Sequence, residues 1–348
     1  MNTGLIWLSP AQWLPPTVHK AADALADGLV TAAEAEAMGY DRLPVATGLS
    51  APQMAVRAAH RALDLAGTDA ADLSAVLHAW TYYQGHDFWS PAHYVAAGAG
   101  ARRAVPTGVQ QMCNGSGAAL RSAVQQLTAD PFGGPALVTT ADRFAAPGFD
   151  RWGGDYGVWY GDGATAAVVG RADEPHDVPE GALVLRSLRT LAEPDLEIAH
   201  RDPDTFHPAP HTASAAVDVR RTKKTFLAAR GKEAFLGRLR QRTTEVLVAA
   251  LADAGLGPRD ERLRVVLLPR LGRATARDVY GPAVADATAA PTADLGEHTG
   301  HLGAGDLLSN LTALAAGAGP HRLGPGEHAA VLSAGAGFTW TAAVVCGA

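Results

Sequence analysis

Apolar runs alternate with amphipathic stretches along the chain, and the same helix-then-strand unit is predicted twice. Apolar residues recur at helical spacing through residues 51–67, where Gly67 is placed to cap the helix C-terminus. The apolar run 73–80 then predicts a buried strand. Residues 243–254 predict a second helix that is also followed by a glycine, and residues 263–268 predict a second buried strand.

A second repeat supports this duplication. The sequence Thr-Ala-Ala-Val-Val occurs at residues 165–169 and again at residues 341–345. The two repeats come in the same order and lie about half the chain apart, which is typical of two homologous α/β halves. Acidic residues, proline and glycine cluster between residues 171 and 181, where a connection is expected. We therefore predict an N-terminal half at residues 1–172 and a C-terminal half at residues 173–348.

Composition narrows the class of protein. The 348 residues are 47% hydrophobic and 18% charged, so a large core is expected, and the net charge of −6 gives no reason to expect nucleic acid as a partner. Two cysteines, Cys113 and Cys346, make no disulfide framework. No signal peptide or membrane-spanning run is evident, so we expect a soluble cytoplasmic protein. No dinucleotide-binding or Walker glycine motif supports hydride transfer or ATP chemistry.

The stretch 109–117 has the pattern of a sharp turn between a strand and the small-residue helix predicted at 118–127. Cys113 lies in this turn, and Gly115 and Gly117 permit close backbone approach. Free N–H groups and the positive end of a helix dipole at this position favour a nucleophilic thiolate. Alternatively, Cys113 is a buried small apolar residue, as most free cysteines are. The turn alone does not decide between the two.

The glycine-rich segment 296–306 supplies candidates for a base. His301 lies among glycines, where core packing does not explain a histidine, so we predict a catalytic role. Asp306 occupies the position of a helix N-cap, and it either caps that helix or orients His301. Residues 333–340 predict a tight turn before a strand. Its N–H groups either bind an oxyanion or belong to a plain turn.

Two polar segments have a simpler interpretation. Residues 192–218 contain four prolines and His200, His207 and His211, but the spacing of these histidines fits no standard zinc pattern. A solvated loop without a metal is the better interpretation. Residues 220–242 contain nine Lys or Arg residues and a single acid. They form either a solvated helix face or a docking patch for an acidic or phosphate-bearing partner.

Three motifs together resemble β-ketoacyl-acyl carrier protein synthase III. They are the cysteine turn 109–117, the Trp-Tyr-Gly-Asp-Gly-Ala stretch 159–164 and the Gly-Ala-Gly-Phe-Thr-Trp stretch 335–340. They follow the order and spacing of that family, and the resemblance covers nearly the whole chain. It implies an α/β protein of the thiolase fold, with two duplicated halves in a five-layered α/β/α/β/α arrangement, which is usually a homodimer.

The resemblance also implies roles for individual residues. Cys113 matches the cysteine that accepts the acyl group. Ala336 occupies the position whose N–H completes an oxyanion hole together with the N–H of Cys113. Phe88 or Trp89 falls where the family sends an aromatic side chain across the dimer interface, and we expect both near the substrate.

The chain departs from condensing members of this family at two positions. Those members carry a histidine after a Val-Pro pair and an asparagine after a glycine, and the two side chains stabilise an enolate. Here Arg270 follows a Leu-Pro pair and His301 follows a glycine. A guanidinium cannot replace a neutral imidazole as a hydrogen-bonding group. The set Cys113, His301 and Asp306 resembles instead the synthase III-like acyltransferases of antibiotic pathways.

From this resemblance we expect an acyltransferase that loads Cys113 from an acyl carrier protein or coenzyme A thioester. The acyl group then passes to a hydroxyl of a sugar or polyketide, to an amine or to a second carrier. No permanently bound cofactor or metal and no membrane partner is expected, and Arg270 is a further candidate for substrate contact. The alternatives are a decarboxylating ketosynthase in which Arg270 and His301 act on the enolate, a catalytically silent ketosynthase partner, and a hydrolase.

Overall fold

Strands and helices alternate through most of the chain. The computed structural model describes residues 4–130, 132–201, 204–209, 212, 214–317 and 321–347. Its strands are β1 (Leu5–Trp13), β2 (Val18–Lys20), β3 (Arg42–Pro44), β4 (Ala75–Ala79), β5 (Val105–Val109), β6 (Ala136–Asp142), β7 (Gly163–Ala172), β8 (Leu183–Ala192), β9 (Leu263–Leu267), β10 (Thr292–Ala293), β11 (His328–Gly335) and β12 (Thr339–Gly347). Its α-helices are α1 (Ala21–Ala26), α2 (Ala32–Met38), α3 (Ala51–Ala66), α4 (Pro91–Ala99), α5 (Gly115–Ala129), α6 (Val219–Arg230), α7 (Lys232–Asp253), α8 (Arg273–Thr275), α9 (Gly281–Ala287) and α10 (Asp306–Ala315).

Ten of these strands form two five-stranded halves with the same topology. From the junction outward, the order is β1-β7-β6-β4-β5 in one half and β8-β12-β11-β9-β10 in the other. The three outer strands of each half are parallel, and the two nearest the junction are antiparallel to their neighbours. The halves join where Ile6–Leu8 of β1 pairs with Leu183–Leu185 of β8. The predicted boundary after residue 172 falls between β7 and β8, and it stays a prediction.

Alternating side chains on the strands build the five layers. In β4, Leu77 faces the core around α5 and α10, whereas Val76 faces α3 and α4. In β11, Val331 faces the same central core, whereas Leu332 faces α7 and α9. Because side chains on a strand point to alternate faces, each half-sheet separates the central helix pair from an outer helix layer. The predicted α/β/α/β/α arrangement is therefore confirmed.

Local signals explain why several elements lie where the pattern predicts them. Helix α3 begins with a capping box between Ser50 and Gln53, and Gly67, whose φ is +59°, caps its C-terminus. Helix α7 begins at Lys232, earlier than predicted. The prediction missed its first turns because they carry charged residues and lack a clear apolar stripe. There, side-chain pairs within the helix, such as Arg242 with Glu245, stabilise the exposed turns.

The basic run 220–242 has more acidic partners than its own sequence shows. Six of its nine cations pair with carboxylates, most of them far away in the sequence. The pairs are Arg220–Glu34, Arg221–Asp204, Lys223–Asp155, Arg238–Glu193, Arg240–Glu233 and Arg242–Glu193.

The histidine-containing loop is only partly a solvated loop. His200 ends a 3₁₀ helix that begins at Pro194, and its ring lies 5.5 Å from that of Phe338. Burial lowers the pKa of His200 to about 4. His207 is exposed, and His211 lies outside the described residues. Within the described ranges, no group of three His, Cys, Asp or Glu side chains could hold a metal ion. No described helix is both long and apolar enough to cross a bilayer.

Candidate active site

Cys113 lies in the turn predicted from the sequence. It is the middle residue of a 3₁₀ turn, Met112–Asn114, between β5 and the first residue of α5. Met112 has a φ of +48°, a conformation that side-chain-bearing residues seldom adopt. Asn114 is buried, and its Nδ2 donates to Thr339 Oγ1 and Thr341 Oγ1, both at 3.0 Å. The turn is therefore anchored to β12 in the other half of the molecule.

Glycines allow three segments to meet at this turn. A Cβ on Gly115 would lie 2.9 Å from the Cβ of Ala304, and a Cβ on Gly335 would lie 2.5 Å from the backbone N of Asn114. Ala336 directly follows Gly335, so the β11–β12 turn approaches the cysteine turn as an oxyanion hole requires. The pairing of the Cys113 and Ala336 N–H groups around one oxygen stays a prediction.

The loop that carries His301 is held by the Trp-Tyr-Gly-Asp-Gly stretch. His301 N donates to Trp159 O at 2.9 Å, and Gly161 N donates to His301 O at 3.0 Å. A Cβ on Gly161 would fall on the carbonyl oxygen of Thr299. Because only glycine permits this approach, Gly161 fixes the position of the His301 backbone.

His301 and Asp306 form a buried pair. His301 Nδ1 lies 2.6 Å from Asp306 Oδ2, and both side chains are almost fully buried. The same carboxylate accepts the backbone N–H of Arg270 at 2.9 Å and the backbone N–H of Leu302 at 2.9 Å. The capping alternative for Asp306 was wrong. Gly305 is the N-cap of α10, and Asp306 is the first helical residue, whose side chain turns back to the preceding loop.

The charged groups in the site shift one another's pKa values. Burial disfavours the imidazolium form of His301, but Asp306 and then Cys113 outweigh it and raise the pKa of His301 well above its usual value. Burial also disfavours the Asp306 carboxylate, but His301 and then Arg270 hold the pKa of Asp306 below its usual value. Apart from Cys113, whose charge and hydrogen bond both raise the pKa of His301, the described residues offer no partner to the buried His301 Nε2. This arrangement matches a base that one carboxylate orients and whose other nitrogen remains for the nucleophile or substrate.

Two tyrosines near the pair were not singled out from the sequence. The ring of Tyr160 lies 5.3 Å from the ring of His301, and its hydroxyl donates to Asp155 at 3.0 Å. Burial, together with the charges of Cys113 and Asp306, raises the pKa of Tyr280, which places this tyrosine close to both. Tyr160 belongs to a motif that was noted, whereas no pattern in the sequence distinguishes Tyr280.

Asp142 is a further residue that sequence reasoning missed. It ends β6 and is fully buried, and burial raises its pKa to about 6. Its Oδ1 accepts the N–H groups of Thr81 and Tyr82 at 2.9 and 2.8 Å, and its Oδ2 accepts that of Ala304 at 3.0 Å. Asp142 therefore connects the loop after β4 to the loop that carries His301. A single acid at a strand end carries no sequence signal for this role.

The three predicted substrate-contact residues lie in different surroundings. The Phe88 side chain is entirely exposed, and Trp89 is partly exposed and packs against His86 and Tyr94. Arg270 follows β9 and is 3% exposed. Its partners are protein groups: Nε donates to Asn310 Oδ1 at 3.0 Å and Nη1 donates to Thr299 Oγ1 at 2.8 Å.

Comparison with known proteins shows what the chain as a whole is similar to. Residues 108–184 match the family described as 3-oxoacyl-[acyl-carrier-protein] synthase III. A comparison with curated protein sequences returned no match. Among solved structures, ChlB3, described as an acyltransferase, is 31% identical, with 98% of this chain and 97% of ChlB3 covered and a TM-score of 0.85.

More distant structures share the fold. The synthase III FabH from Pseudomonas aeruginosa PAO1 is 21% identical over 99% of this chain and 98% of FabH, with a TM-score of 0.74. AbyA1, described as a tetronic acid condensing enzyme, is 20% identical over 98% of this chain and 100% of its own, also with a TM-score of 0.74. The fold expected from the three motifs is confirmed.

Proposed function

Because the chain belongs to the family of β-ketoacyl-acyl carrier protein synthase III-like enzymes of the thiolase superfamily, we propose that it is an acyltransferase of natural-product biosynthesis. It takes an acyl group from a thioester onto Cys113 and passes it to a hydroxyl of a sugar or polyketide, to an amine or to a second carrier. The observation that carries this proposal is the position of His301. Asp306 holds its Nδ1, and Cys113 raises its pKa both by charge and by hydrogen bonding. Apart from Cys113, the described residues offer no partner to its Nε2.

In the first half-reaction, the Cys113 sulfur attacks the thioester carbonyl. A C–S bond forms, and the negative charge moves to the carbonyl oxygen, which the N–H groups of Cys113 and Ala336 stabilise. The tetrahedral intermediate collapses with loss of the thiol of the carrier. His301 provides the proton for that leaving thiolate. The products are acyl-Cys113 and a free pantetheine thiol.

Acylation then prepares His301 for the second half-reaction. A negative charge on Cys113 raises the pKa of His301, and a thioester at Cys113 has no such charge. The imidazole, which is neutral after it has protonated the leaving thiolate, therefore stays neutral more readily in the acyl-enzyme and can act as a base. It takes the proton of the acceptor as the acceptor oxygen or nitrogen attacks the acyl carbon. General-base help of this kind contributes about 10²–10⁴ to the rate. Collapse breaks the bond to Cys113 and releases the ester or amide, or the thioester where a second carrier is the acceptor; Cys113 leaves as a thiolate and the acceptor's proton remains on His301.

Decarboxylative condensation requires groups that stabilise an enolate, and the site differs from that requirement. Arg270 directs its guanidinium to Thr299 and Asn310, and the position after Gly300 carries an ionisable imidazole paired with a carboxylate. ChlB3, with 31% identity over nearly the whole chain, is described as an acyltransferase. Both points favour transfer to a heteroatom over carbon–carbon bond formation.

The donor is proposed to be an acyl carrier protein or coenzyme A, both of which present a phosphopantetheine thioester. Three cations of the basic run, Lys224, Arg230 and Lys232, are exposed and form no ion pair with any described residue. They are the members of that run that remain available to a negatively charged donor. Donors of this kind support a cytoplasmic location, which stays a prediction.

We also propose a homodimer. The outer strand β5 has exposed residues on both faces, and Val105 in this strand is an exposed apolar side chain. Phe88, in the loop after β4, is a second exposed apolar side chain. An edge strand and exposed apolar side chains are both typical of surfaces that pair with a second copy. Sedimentation equilibrium tests this proposal, since a monomer at micromolar concentration would contradict it.

The experiment that tests the function is intact-protein mass spectrometry after incubation with a panel of acyl thioesters, malonyl thioesters included. Wild type, Cys113→Ala and His301→Ala are compared side by side. We expect the acyl mass on wild type and on His301→Ala and no adduct on Cys113→Ala. After addition of an acceptor, the adduct should disappear from wild type and persist on His301→Ala.

The other outcomes each identify a different function. Release of carbon dioxide from the malonyl donor would support a condensing ketosynthase. Loss of the acyl group without an acceptor would indicate a hydrolase. Failure of every donor to label wild type would support a silent ketosynthase partner. Full turnover by Cys113→Ala would refute the covalent scheme.

A further inference from the structure

Arg270 is a buried cation that contacts Asp306, the partner of His301. Its backbone N–H donates to the same Asp306 oxygen that His301 contacts, at 2.9 Å. Its guanidinium donates to Asn310 on α10 and to Thr299 in the loop before His301. Asn310 in turn donates through Nδ2 to Leu268 O at 2.8 Å, so the end of β9 and α10 are connected twice.

The groups facing Arg270 show which charge it balances. Asp306 and Asp294 are the anions that favour its charged form, against the cost of burial. Asp294 is exposed at the surface, whereas burial raises the pKa of Tyr40, whose hydroxyl donates to Arg270 O at 3.0 Å. Asp306 is the fully buried anion of the set and also the one that contacts the candidate base.

We propose that Arg270 is a positioning residue: its buried guanidinium balances the Asp306 carboxylate, and its hydrogen bonds fix Thr299 and Asn310 on either side of His301 in the sequence. It thus acts through Asp306 and His301 and is not a substrate contact. This inference rests on the proposed function, because it explains how His301 is kept ready to accept a proton.

The physical reason lies in the net charge of the buried cluster. With Arg270 present, a carboxylate at Asp306 and a neutral imidazole at His301 leave Asp306 and Arg270 balanced. Without the guanidinium, charge balance requires a proton on His301, because an unpaired buried carboxylate is costly. An imidazolium cannot act as a base. Arg270 therefore favours the state of the pair that the transfer step uses.

The test is the pH dependence of acyl transfer. Acyl-enzyme is prepared and mixed with acceptor in a single turnover, and the rate is measured between pH 5 and pH 9. The neutral variants Arg270→Met and Arg270→Gln are compared with Arg270→Lys, which keeps the charge but cannot reproduce the forked hydrogen bonds. The exposed Arg262, which pairs with Asp260, provides the control variant Arg262→Met.

Removal of a buried positive charge raises the proton affinity of every neighbouring group. The acid limb is the pH range in which the transfer rate falls as the solution becomes more acidic. We therefore expect this limb to lie about one pH unit higher in both neutral variants. The limb should stay in place in Arg270→Lys and in Arg262→Met, although Arg270→Lys should be slower at every pH. Either neutral variant suffices if the other does not fold.

The outcomes separate this inference from the proposed function. If wild type forms acyl-Cys113 and transfers it but the limb is unmoved in a folded neutral variant, Arg270 has only a structural role. If Arg270→Lys moves the limb as far as Arg270→Met, the charge is not the cause and the inference fails. If wild type never forms an acyl-enzyme, the proposed function itself fails.

Discussion

Replacement of Asp306 by asparagine tests the central pair of the site most directly. The carboxylate accepts three N–H groups. Its Oδ2 accepts the His301 Nδ1–H and the Arg270 backbone N–H, and its Oδ1 accepts the Leu302 backbone N–H. An asparagine side chain has one acceptor oxygen and one NH₂ group. In either orientation, the NH₂ group faces an N–H donor. The less costly orientation keeps the oxygen toward His301 and leaves the Leu302 N–H unpaired.

The magnitude follows from these contacts. An unpaired buried N–H costs about 1–3 kcal/mol, and removal of one partner from a buried charge pair costs about 3–5 kcal/mol. These costs overlap, so we expect Asp306→Asn to lose about 3–5 kcal/mol of unfolding free energy. Loss of the carboxylate also removes the charge that stabilises imidazolium during transfer. By analogy with other triads, the transfer rate should fall by about 10³–10⁴-fold.

The assay measures both quantities in the same protein. Unfolding is followed in urea, and transfer is followed as loss of the acyl adduct after addition of acceptor. The matched control is Asp162→Asn, because Asp162 is also buried and pairs with Arg151 at 3.2 Å, with one oxygen accepting the N–H of Ala46. We expect a comparable loss of stability from the control but less than about a tenfold loss in transfer rate. Equal losses of transfer in the two folded variants would refute the catalytic pairing.

Two further predictions concern stability. Burial lowers the pKa of His78 to about 4, below its value of about 6.5 in an unfolded chain, so the stability it contributes should be lost as pH falls between these values. The shift corresponds to roughly 3 kcal/mol. The difference in unfolding free energy between pH 7 and pH 4.5, measured in urea, should be smaller in His78→Gln than in wild type. An equal difference in the two proteins would contradict this. Gly161→Ala should lower the free energy of unfolding and slow acyl transfer, because the new Cβ meets the Thr299 carbonyl. The control Gly237→Ala, on the open face of α7, should raise the free energy of unfolding by up to about 1 kcal/mol, as measured by thermal unfolding.

Local patterns predicted the elements whose cause is local. Helix α3 with its Gly67 cap, strand β4 and the turn at Cys113 depend on residues within one turn or one strand of each other. The repeated helix–strand unit predicted two halves, and the identical strand order of the halves agrees with it. The motif-based resemblance supplied the layer arrangement, which no periodicity alone determines.

Features of the site that depend on distant residues were not accessible from the sequence. Asp306 was open to a capping role because its position before a helix is all that the sequence shows. Its actual partners include Arg270, which is 36 residues away. Asp142 contacts Ala304, which is 162 residues away, and Lys223 pairs with Asp155 across 68 residues. The last two pairs form only when the two halves converge, and the Arg270–Asp306 contact forms only when the second half folds.

The duplication also explains why the site lies where it does. The cysteine turn precedes α5, and Asp306 opens α10, so the two chemical partners lie at the N-termini of the two central helices. Close approach of Gly115 to Ala304 brings those termini together. Equivalent helices of two homologous halves therefore contribute unlike groups, a thiol from one half and an imidazole–carboxylate pair from the other. In the proposed mechanism, the first half supplies the nucleophile, and side-chain changes confined to the second half, at Arg270 and His301, alter the reaction while the cysteine turn stays the same. We therefore expect the reaction of a chain with this arrangement to depend on the residues around Asp306 more than on those around Cys113.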